Sequence, residues 1–285
     1  MTRSPAQAAL GFAVVVATAM SGCGTQPARP GTSTPDITTT PSATVASVSA
    51  IPTATRTASA SPSPSPTPTH TATSAAPRVV SAASSPVDHL RGVGSAQQVV
   101  KVAASRYGTS YATLTAYRKT SSGWVRTFGP WTARIGRNGF APPGKKREGD
   151  GRTPTGSYAF SFFFGVNARP SGIHYSWRHA YTYDVWDDDS ASSRYNLWTD
   201  RRRYYPGRNP EPMHNQPSYN YAAVIAYNTA RKPGLGSAIF FHVSHGSATA
   251  GCVAIPQTQL LKVLRWLDPH KAPRIIMGTT SAITR

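Results

Sequence analysis

Cysteine is scarce in this sequence. The 285 residues contain only 2 cysteines, Cys23 and Cys252. A disulfide framework needs several cysteine pairs, and a structural zinc module takes most of its ligands from cysteine, so the sequence excludes both classes. We therefore expect the fold to depend on an ordinary hydrophobic core.

Aromatic residues are absent from almost all of the first third of the chain. Only Phe12 precedes Tyr107, although the sequence has 6 Trp, 13 Tyr and 9 Phe residues. Residues 24–77 are mostly Ser, Thr, Ala and Pro and hold ten of the 25 prolines. Such a segment buries too little apolar surface to offset the entropy of ordering its backbone. We predict a disordered Ser/Thr/Pro-rich linker over residues 24–85 and a folded domain over residues 86–285.

The first 23 residues have the features of an export signal. Arg3 is followed by an apolar run over residues 8–19, which is shorter than a membrane-spanning helix. The run ends in Met20-Ser21-Gly22-Cys23, which resembles the box of a bacterial lipoprotein, where small residues precede a lipidated cysteine. We predict a lipoprotein signal peptide over residues 1–23 and a lipid anchor on Cys23, at the outer face of the cytoplasmic membrane. An ordinary cleaved signal is the alternative.

Acidic residues are also few, with 11 Asp and Glu against 30 Lys and Arg and a net charge of +19. Most of this excess lies in residues 78–285, which hold 27 basic and 10 acidic side chains. A basic domain first suggests nucleic acid, but an exported, lipid-tethered protein does not meet it. We expect anionic cell-wall polymers or a membrane surface as the counter-ion, and no nucleic-acid partner. A charge that only keeps the domain soluble is the alternative.

The C-terminal region is rich in Val, Thr and aromatic residues, interrupted by turn-forming Gly, Pro and Asn, which predicts a mainly β fold. Predicted strands cover 98–103, 112–119, 124–134, 158–165, 222–227, 238–243 and 274–277. One helix is predicted over 258–267, where Leu260, Leu261, Leu264 and Leu267 mark one face. The fold class is a single β-sandwich-like domain with one short helix after Cys252, and we expect a monomer.

Cys252 lies in a run of small residues, 247–253, between an apolar strand and the predicted helix. If Cys23 carries the anchor, Cys252 has no cysteine partner. Small neighbours leave main-chain N–H groups accessible near the sulfur, and such donors stabilise the oxyanion formed when a thiolate attacks a carbonyl. We interpret Cys252 as a nucleophile; a buried structural cysteine is the alternative.

Two histidines precede this cysteine and are candidates for its base. His242 ends the apolar strand, and His245 stands next to Gly246 in a predicted loop. Because side chains alternate along a strand, residues three apart face opposite sides, which argues against a zinc clamp made by this pair. His242 is the preferred base and His245 the second choice, and a structural role remains open for each.

Acidic residues elsewhere have less specific interpretations. Glu148 and Asp150 are either a carboxylate pair or, as the surrounding glycines and Pro154 favour, part of a tight turn. The run 187–189 is either a site for a cation or a diamino-acid ammonium, or a solvated loop, which we prefer.

The stretch from Ile239 to Val253 resembles the active-site signature of the YkuD-type L,D-transpeptidases: a hydrophobic strand ending in His, followed by Thr249-Ala250-Gly251-Cys252-Val253. Upstream, residues 147–156 resemble the Asp-Gly and Thr-Pro turn of that family. The resemblance covers about residues 96–278. It implies Cys252 as nucleophile, His242 as base, and Gly251 with the Cys252 backbone as the oxyanion site. Thr249 takes the place of the Ser or Thr of the signature.

Many members have His two residues before the cysteine, where this chain has Ala250, so His245 is the candidate to replace it. The resemblance implies 3→3 cross-linking of peptidoglycan stem peptides through an acyl-enzyme on Cys252, without metal or cofactor. An L,D-carboxypeptidase, an enzyme attaching proteins to the wall, a non-catalytic wall-binding lipoprotein and a metal-dependent amidase are the alternatives.

Overall fold

The computed structural model of the protein describes residues 84–285. The predicted signal peptide, Cys23 and nearly all of the predicted linker lie outside these residues. Within them the chain forms strands and two α-helices, with a 3₁₀ turn at Pro269–Lys271. In chain order these elements are β1 (Gln98–Ala104), β2 (Tyr111–Thr120), β3 (Gly123–Arg134), β4 (Gly156–Tyr158), β5 (Phe160–Gly165), β6 (Trp177–His179), β7 (Asp184–Asp187), β8 (Leu197–Asp200), β9 (Glu211–Pro212), β10 (Ala222–Ile225), β11 (Phe240–Val243), β12 (Val253–Ile255), α1 (Gln257–Trp266), β13 (Arg274–Thr279) and α2 (Thr280–Ile283).

Ten of these strands form one curled sheet in the order β4-β13-β1-β2-β3-β12-β11-β10-β5-β6, and the other three form a small sheet in the order β8-β7-β9. Strands β1, β2 and β3 pair antiparallel, whereas β11 and β12 pair parallel, with Phe241 opposite Val253. This confirms the mainly β fold with a short helix after the cysteine. No helix within residues 84–285 is both long and apolar enough to cross a membrane.

Strands β10 and β11 lie at the centre of the molecule and are buried at every position. On one side, Phe241 and Val243 pack in the main core together with residues of α1. On the other side, Phe240 packs against Trp186 of the small sheet, with ring centroids 5.1 Å apart. Continuous apolar sequence is typical of strands covered on both faces, which is what these two strands show.

Helix α1 buries Leu260, Val263, Leu264 and, just past its end, Leu267, all fully inaccessible to solvent. The sequence predicted this face with Leu261 in place of Val263. The observed spacing of i, i+3, i+4 and i+7 is that of a single helical stripe, and Leu261 lies at its margin, half-buried.

Two further features differ from expectation. The strand predicted over 158–165 is two strands, because β4 pairs with β13 and β5 pairs with β10. Residues 177–212, for which the sequence predicted no strand, contain β6 and the whole small sheet.

Candidate active site

Cys252 immediately precedes β12, at the end of the loop that leaves β11. The Phe240 N–H donates to its Sγ at 3.3 Å, and Sγ donates to the carbonyl of Ala238 at 3.3 Å. The residue is 7% exposed. The N–H contact favours the thiolate and the carbonyl contact favours the thiol, so the sulfur is held in an environment that accepts both forms.

Cys252 lines a cavity of about 520 Å³. This volume is in the range of small-molecule sites. Ala250 and Gly251 form the wall beside the sulfur. The remaining walls are strongly charged, and the ionisable residues among them are Arg137, Lys146, Glu148, Asp188, Arg208, Glu211 and Tyr219.

Two buried threonine hydroxyls fix the main chain at the cysteine. Thr249 donates to the Cys252 carbonyl at 2.7 Å and accepts from the Gly251 N–H at 3.2 Å. Thr153 donates to the same carbonyl at 3.3 Å and accepts from the Gly136 N–H at 2.9 Å. The Gly251 N–H is therefore engaged with Thr249, and an oxyanion role for it requires that this bond be exchanged.

Gly251 explains why the upstream motif and the cysteine loop occur together. A Cβ at this position would lie 3.1 Å from both the Arg152 carbonyl oxygen and the Ile239 Cδ1 atom. Only glycine lets the loop approach so closely without displacing these neighbours. The Thr-Pro turn and the cysteine loop thus pack directly against each other.

The upstream turn is held by Asp150. Its carboxylate accepts from the N–H groups of Arg147 and Arg152 and from Lys146 Nζ, each at 2.8 Å. Lys146 itself is only 5% exposed. This agrees with the turn interpretation for Asp150.

Glu148, in the same turn, has a different function. It lines the cavity, and its Oε2 accepts from the hydroxyls of Tyr195 at 2.5 Å and Ser237 at 2.7 Å. The Tyr195 hydroxyl in turn accepts from the Gly236 N–H at 3.0 Å. Glu148 and Tyr195 therefore tie the segment just before β11 to the small sheet.

Ala238, in this segment, has a φ of +50°, a left-handed conformation that is unusual for a residue with a Cβ. Its N–H donates to Asn196 Oδ1 at 3.3 Å, and its carbonyl accepts from Cys252. Local sequence contains no signal for this conformation, because the contacts that impose it come from residues about forty positions away.

His242 is buried on the same side of β11 as Phe240, two residues and about 7 Å along the strand. Its Nδ1 lies 2.9 Å from the Val243 carbonyl. Since a carbonyl only accepts, Nδ1 carries the hydrogen, which leaves Nε2 as the basic nitrogen of the neutral ring. The Tyr219 ring packs edge-on against both Phe240 and His242, with centroids 5.5 Å away from each.

Burial lowers the pKa of His242 to about 4. Main-chain hydrogen bonds to Val243 and Ser218 oppose this shift, and the charge of nearby His245 adds to it. At neutral pH the ring is therefore uncharged and able to accept a proton.

His245 lies beyond the end of β11 and is exposed, as expected for a loop residue. Within residues 84–285 no three His, Cys, Asp or Glu side chains are grouped so that they could hold a metal ion.

The acidic run 187–189 is not the solvated loop that the sequence favoured. Asp187 is fully buried at the end of β7 and accepts from the Ser192 hydroxyl at 2.5 Å. Asp188 alone of the three lines the cavity. Burial, together with the charges of Glu148 and Glu211, raises its pKa to about 7. Since the small sheet was not predicted, its contribution to the cavity was missed as well.

The YkuD family model, which describes an L,D-transpeptidase catalytic domain, matches residues 109–280. This range covers more than half of the chain and contains both motifs. Comparison with curated proteins and comparison with solved structures gave no significant match.

Proposed function

Because the chain belongs to the YkuD family of L,D-transpeptidase catalytic domains, we propose that it is a peptidoglycan L,D-transpeptidase that forms 3→3 cross-links through an acyl-enzyme on Cys252. The observation that carries this proposal is the position of the sulfur, in the wall of a 520 Å³ cavity and 3.3 Å from the Phe240 N–H. A thiol with a main-chain donor at the edge of a cavity is suited to covalent acyl transfer.

In the first half-reaction, His242 accepts the proton of the Cys252 thiol. The thiolate attacks the carbonyl carbon that follows the L-configured centre of the third stem residue. The Cys252 N–H stabilises the oxyanion, together with the Gly251 N–H, which exchanges its bond to Thr249 for one to the oxyanion. The new carbon–sulfur bond replaces the bond to the terminal D-Ala, whose amine departs with the proton from His242.

In the second half-reaction, an amine of a neighbouring stem peptide attacks the thioester carbonyl and gives its proton to His242. A carbon–nitrogen bond forms, the carbon–sulfur bond breaks, and the proton returns to the sulfur. If water replaces the amine, the same steps make the enzyme an L,D-carboxypeptidase. His245 takes part at most as an auxiliary group, because it stands exposed beyond the strand.

We propose that lipid on Cys23 holds the enzyme to the outer face of the cytoplasmic membrane, from which the linker lets the catalytic domain reach the wall. The enzyme acts there as a monomer, among anionic wall polymers that match its positive charge.

Carbapenem labelling tests the nucleophile. Purified protein exposed to a carbapenem is expected to gain one drug mass on Cys252, identified by peptide mass spectrometry. Cys252→Ala is expected to gain none, and His242→Gln to react more slowly. Exposed His245→Ala is the matched histidine control. Equal labelling of the parent and Cys252→Ala, or no labelling of either, contradicts the enzymatic proposal.

Incubation with defined tetrapeptide muropeptides shows whether the acyl group is transferred to an amine or to water. A cross-linked dimer supports transpeptidation, and a trimmed tripeptide supports the carboxypeptidase. Sacculus binding that persists in Cys252→Ser without either product supports the non-catalytic wall-binding alternative.

A further inference from the structure

A second concave surface lies on the small sheet, away from Cys252. It is a groove of about 410 Å³ that shares no lining residue with the catalytic cavity. We call it the Arg/Tyr groove and define it by its ring- and charge-bearing lining: Arg178, His179, Tyr181, Tyr183, Asp184, Arg194, Trp198, Asp200, Arg202, Arg203 and Tyr204.

Tyrosine rings are unusually exposed in and beside this groove. Tyr181 is 48% exposed, Tyr204 is 52% exposed, and the adjoining Tyr205 is 81% exposed. These are three of the six large hydrophobic residues that the described part of the chain leaves exposed. Single exposed apolar side chains are normal on a protein surface, but a cluster of them on one surface indicates a binding site.

The arginines of the groove lie against aromatic rings. The guanidinium of Arg202 lies 3.3 Å from the centre of the Tyr183 ring, which itself stacks on Tyr181 with centroids 5.1 Å apart. Arg194 lies over Tyr204 at 4.1 Å in the same way. Contact with a ring restricts a guanidinium, so less entropy is lost when that guanidinium binds an anion.

The carboxylates in the groove do not cancel this charge. Four arginines face two aspartates. Asp184 is buried and accepts from the Tyr181 N–H at 2.9 Å. Asp200 accepts from Arg202 Nε at 3.0 Å and from Arg202 Nη2 at 2.8 Å, which occupies one bidentate edge of that guanidinium. Arg178, Arg194 and Arg203 are therefore the cations of the groove that are left to meet an anionic ligand, with Arg203 3.7 Å from Asp200. Exposed Arg201 adds a further cation beside the groove.

We propose that the Arg/Tyr groove is a binding surface for an anionic polysaccharide. The faces of aromatic rings carry partial negative charge and accept the weakly positive C–H faces of sugar rings. Guanidinium groups bind carboxylate or phosphate in a bidentate manner. A polymer of sugars that bear either anion would satisfy both features of the groove at once, and the groove would hold the enzyme on such a strand while Cys252 acts elsewhere.

The test measures the dissociation constants of the full-length protein by isothermal titration at fixed ionic strength. The probes are polygalacturonate for sugar carboxylates, a phosphomannan for sugar phosphates, neutral chitohexaose, and single-stranded poly-dT. We expect one or both of the first two to bind at least tenfold more tightly than chitohexaose and poly-dT. The anionic polymer that binds more tightly shows whether the groove prefers sugars that carry carboxylate or sugars that carry phosphate.

Two pairs of variants separate the groove from the general positive charge. The uncharged change Tyr183→Ala with Tyr204→Ala is expected to weaken binding at least tenfold, whereas Tyr107→Ala, at an exposed tyrosine outside the groove, changes it less than twofold. Arg202→Ala with Arg203→Ala is likewise compared with Arg118→Ala and Lys119→Ala, which removes the same charge from exposed positions of β2.

Equal losses from the two charge-matched pairs overturn the proposal, because they show attraction by net charge alone. No binding to either anionic polysaccharide, or tighter binding of poly-dT, overturns it as well. Far-UV circular dichroism and urea denaturation of each variant check that the fold is intact. Neither measurement depends on the reactivity of Cys252, so failure of this proposal is separate from failure of the proposed enzyme activity.

Discussion

The main chain at Cys252 is held by residues that are distant in sequence. Thr153 lies 99 positions before Cys252, yet its hydroxyl donates to the Cys252 carbonyl and accepts from the Gly136 N–H. Hydroxyls can bridge two main-chain groups in this way because they both donate and accept. The two motifs found in the sequence are therefore parts of one hydrogen-bonded unit.

Replacing Thr153 with Val keeps the shape of the side chain and removes this bridge. The Gly136 N–H then lacks its acceptor in a buried position, and we expect the free energy of unfolding to fall by about 1–3 kcal/mol. Carbapenem acylation of Cys252 should slow several-fold, because the Cys252 carbonyl loses one of its two hydroxyl donors. Urea denaturation and stopped-flow acylation measure the two effects. The control is Thr132→Val on exposed β3. If Thr153→Val changes stability and acylation no more than this control does, the hydroxyl bridge contributes to neither.

The buried position of His242 predicts an unusual pH profile. With a pKa of about 4 in the folded protein, against 6.5 for an ordinary histidine, the ring remains neutral and basic well below neutral pH. The rate of Cys252 acylation should therefore stay level from pH 7 down to about pH 5 and fall only near pH 4. A fall centred on pH 6.5, measured with a carbapenem by stopped flow, would contradict the assignment of His242 as the base.

The same shift links His242 to stability. Between about pH 4 and 6.5 the unfolded chain binds a proton on this residue and the folded chain does not, so stability should rise with pH across this window and level off above it. The full difference is on the order of 3 kcal/mol. His242→Gln should lose this component of the pH dependence, as measured by urea midpoints at pH 4.5 and 7.

At the scale of elements, the small sheet builds one side of the catalytic cavity. It supplies Asp188 and Glu211 to the lining, and the turn between β7 and β8 supplies Tyr195 and Asn196 to the segment before β11. Contacts with the small sheet and its β7–β8 turn therefore position the segment before β11, in which the Ala238 carbonyl contacts the sulfur.

The central strands and α1 could be predicted from the sequence, whereas the small sheet could not. Strand β2 alternates between buried Ala112 and Leu114 and exposed Tyr111 and Thr113, a pattern that a local window contains. Strand β7 is Asp184–Asp187, with a carboxylate at each end, and its last residue begins the run 187–189 that the sequence favours as a solvated loop. Both aspartates are buried and accept from groups only two to five positions away, at Tyr181, Asp189 and Ser192. A four-residue strand with a buried carboxylate at each end does not show the apolar alternation from which strands are predicted.

Cys252 was identified from the small residues around it and from the motif. The cavity residues Glu148, Asp188 and Tyr219 were not recognised as a group, because long-range folding alone brings these three segments together. The functional pairing of His242 with Cys252 remains a prediction that the acylation experiments test.

Asp188 should destabilise the folded protein at and above neutral pH. Its pKa of about 7, against 3.8 in an ordinary aspartate, means that the folded state binds more protons than the unfolded state between these values, so stability falls as pH rises. Asp188→Asn should therefore raise the free energy of unfolding at pH 8 by roughly 1–3 kcal/mol and have little effect at pH 4.

The neighbouring Asp189 provides the matched control. Its carboxylate accepts from the N–H groups of Ala191 and Arg208, and these bonds lower its pKa. Asp189→Asn should thus destabilise the protein at pH 8. The free energies of unfolding are measured by urea denaturation at pH 4 and 8. Equal effects of the two substitutions would show that the cavity does not raise the pKa of Asp188.

At the scale of the whole molecule, the acidic residues are concentrated in one region. Eight of the ten acidic residues within 84–285 lie between Glu148 and Glu211, in the turn and small sheet that border the cavity. The same span holds eight arginines, and the cavity lining has three basic and three acidic side chains. Outside this span the charged side chains are almost all basic, so the protein presents a positive exterior to its surroundings and a cavity of mixed charge to a ligand.

The proposed anchor is tested on the full chain expressed in a bacterial host. Cys23→Ser should move the protein from the detergent phase to the aqueous phase in Triton X-114 partitioning and abolish labelling by a fatty-acid analogue, because a single residue carries the lipid. Cys252→Ser should leave both unchanged. Retention of label by Cys23→Ser would assign the lipid, and the membrane attachment, to another site.

The proposed acyl-enzyme implies an order of events at the cavity. At about 520 Å³ the cavity has the volume of one small-molecule site. In the proposed reaction the donor stem releases its D-Ala before the acceptor attacks, so initial rates should follow substituted-enzyme kinetics with parallel double-reciprocal lines. Excess donor would then compete with the acceptor for the acylated enzyme, and under this proposal the ratio of the two stems in the wall would regulate the yield of cross-links.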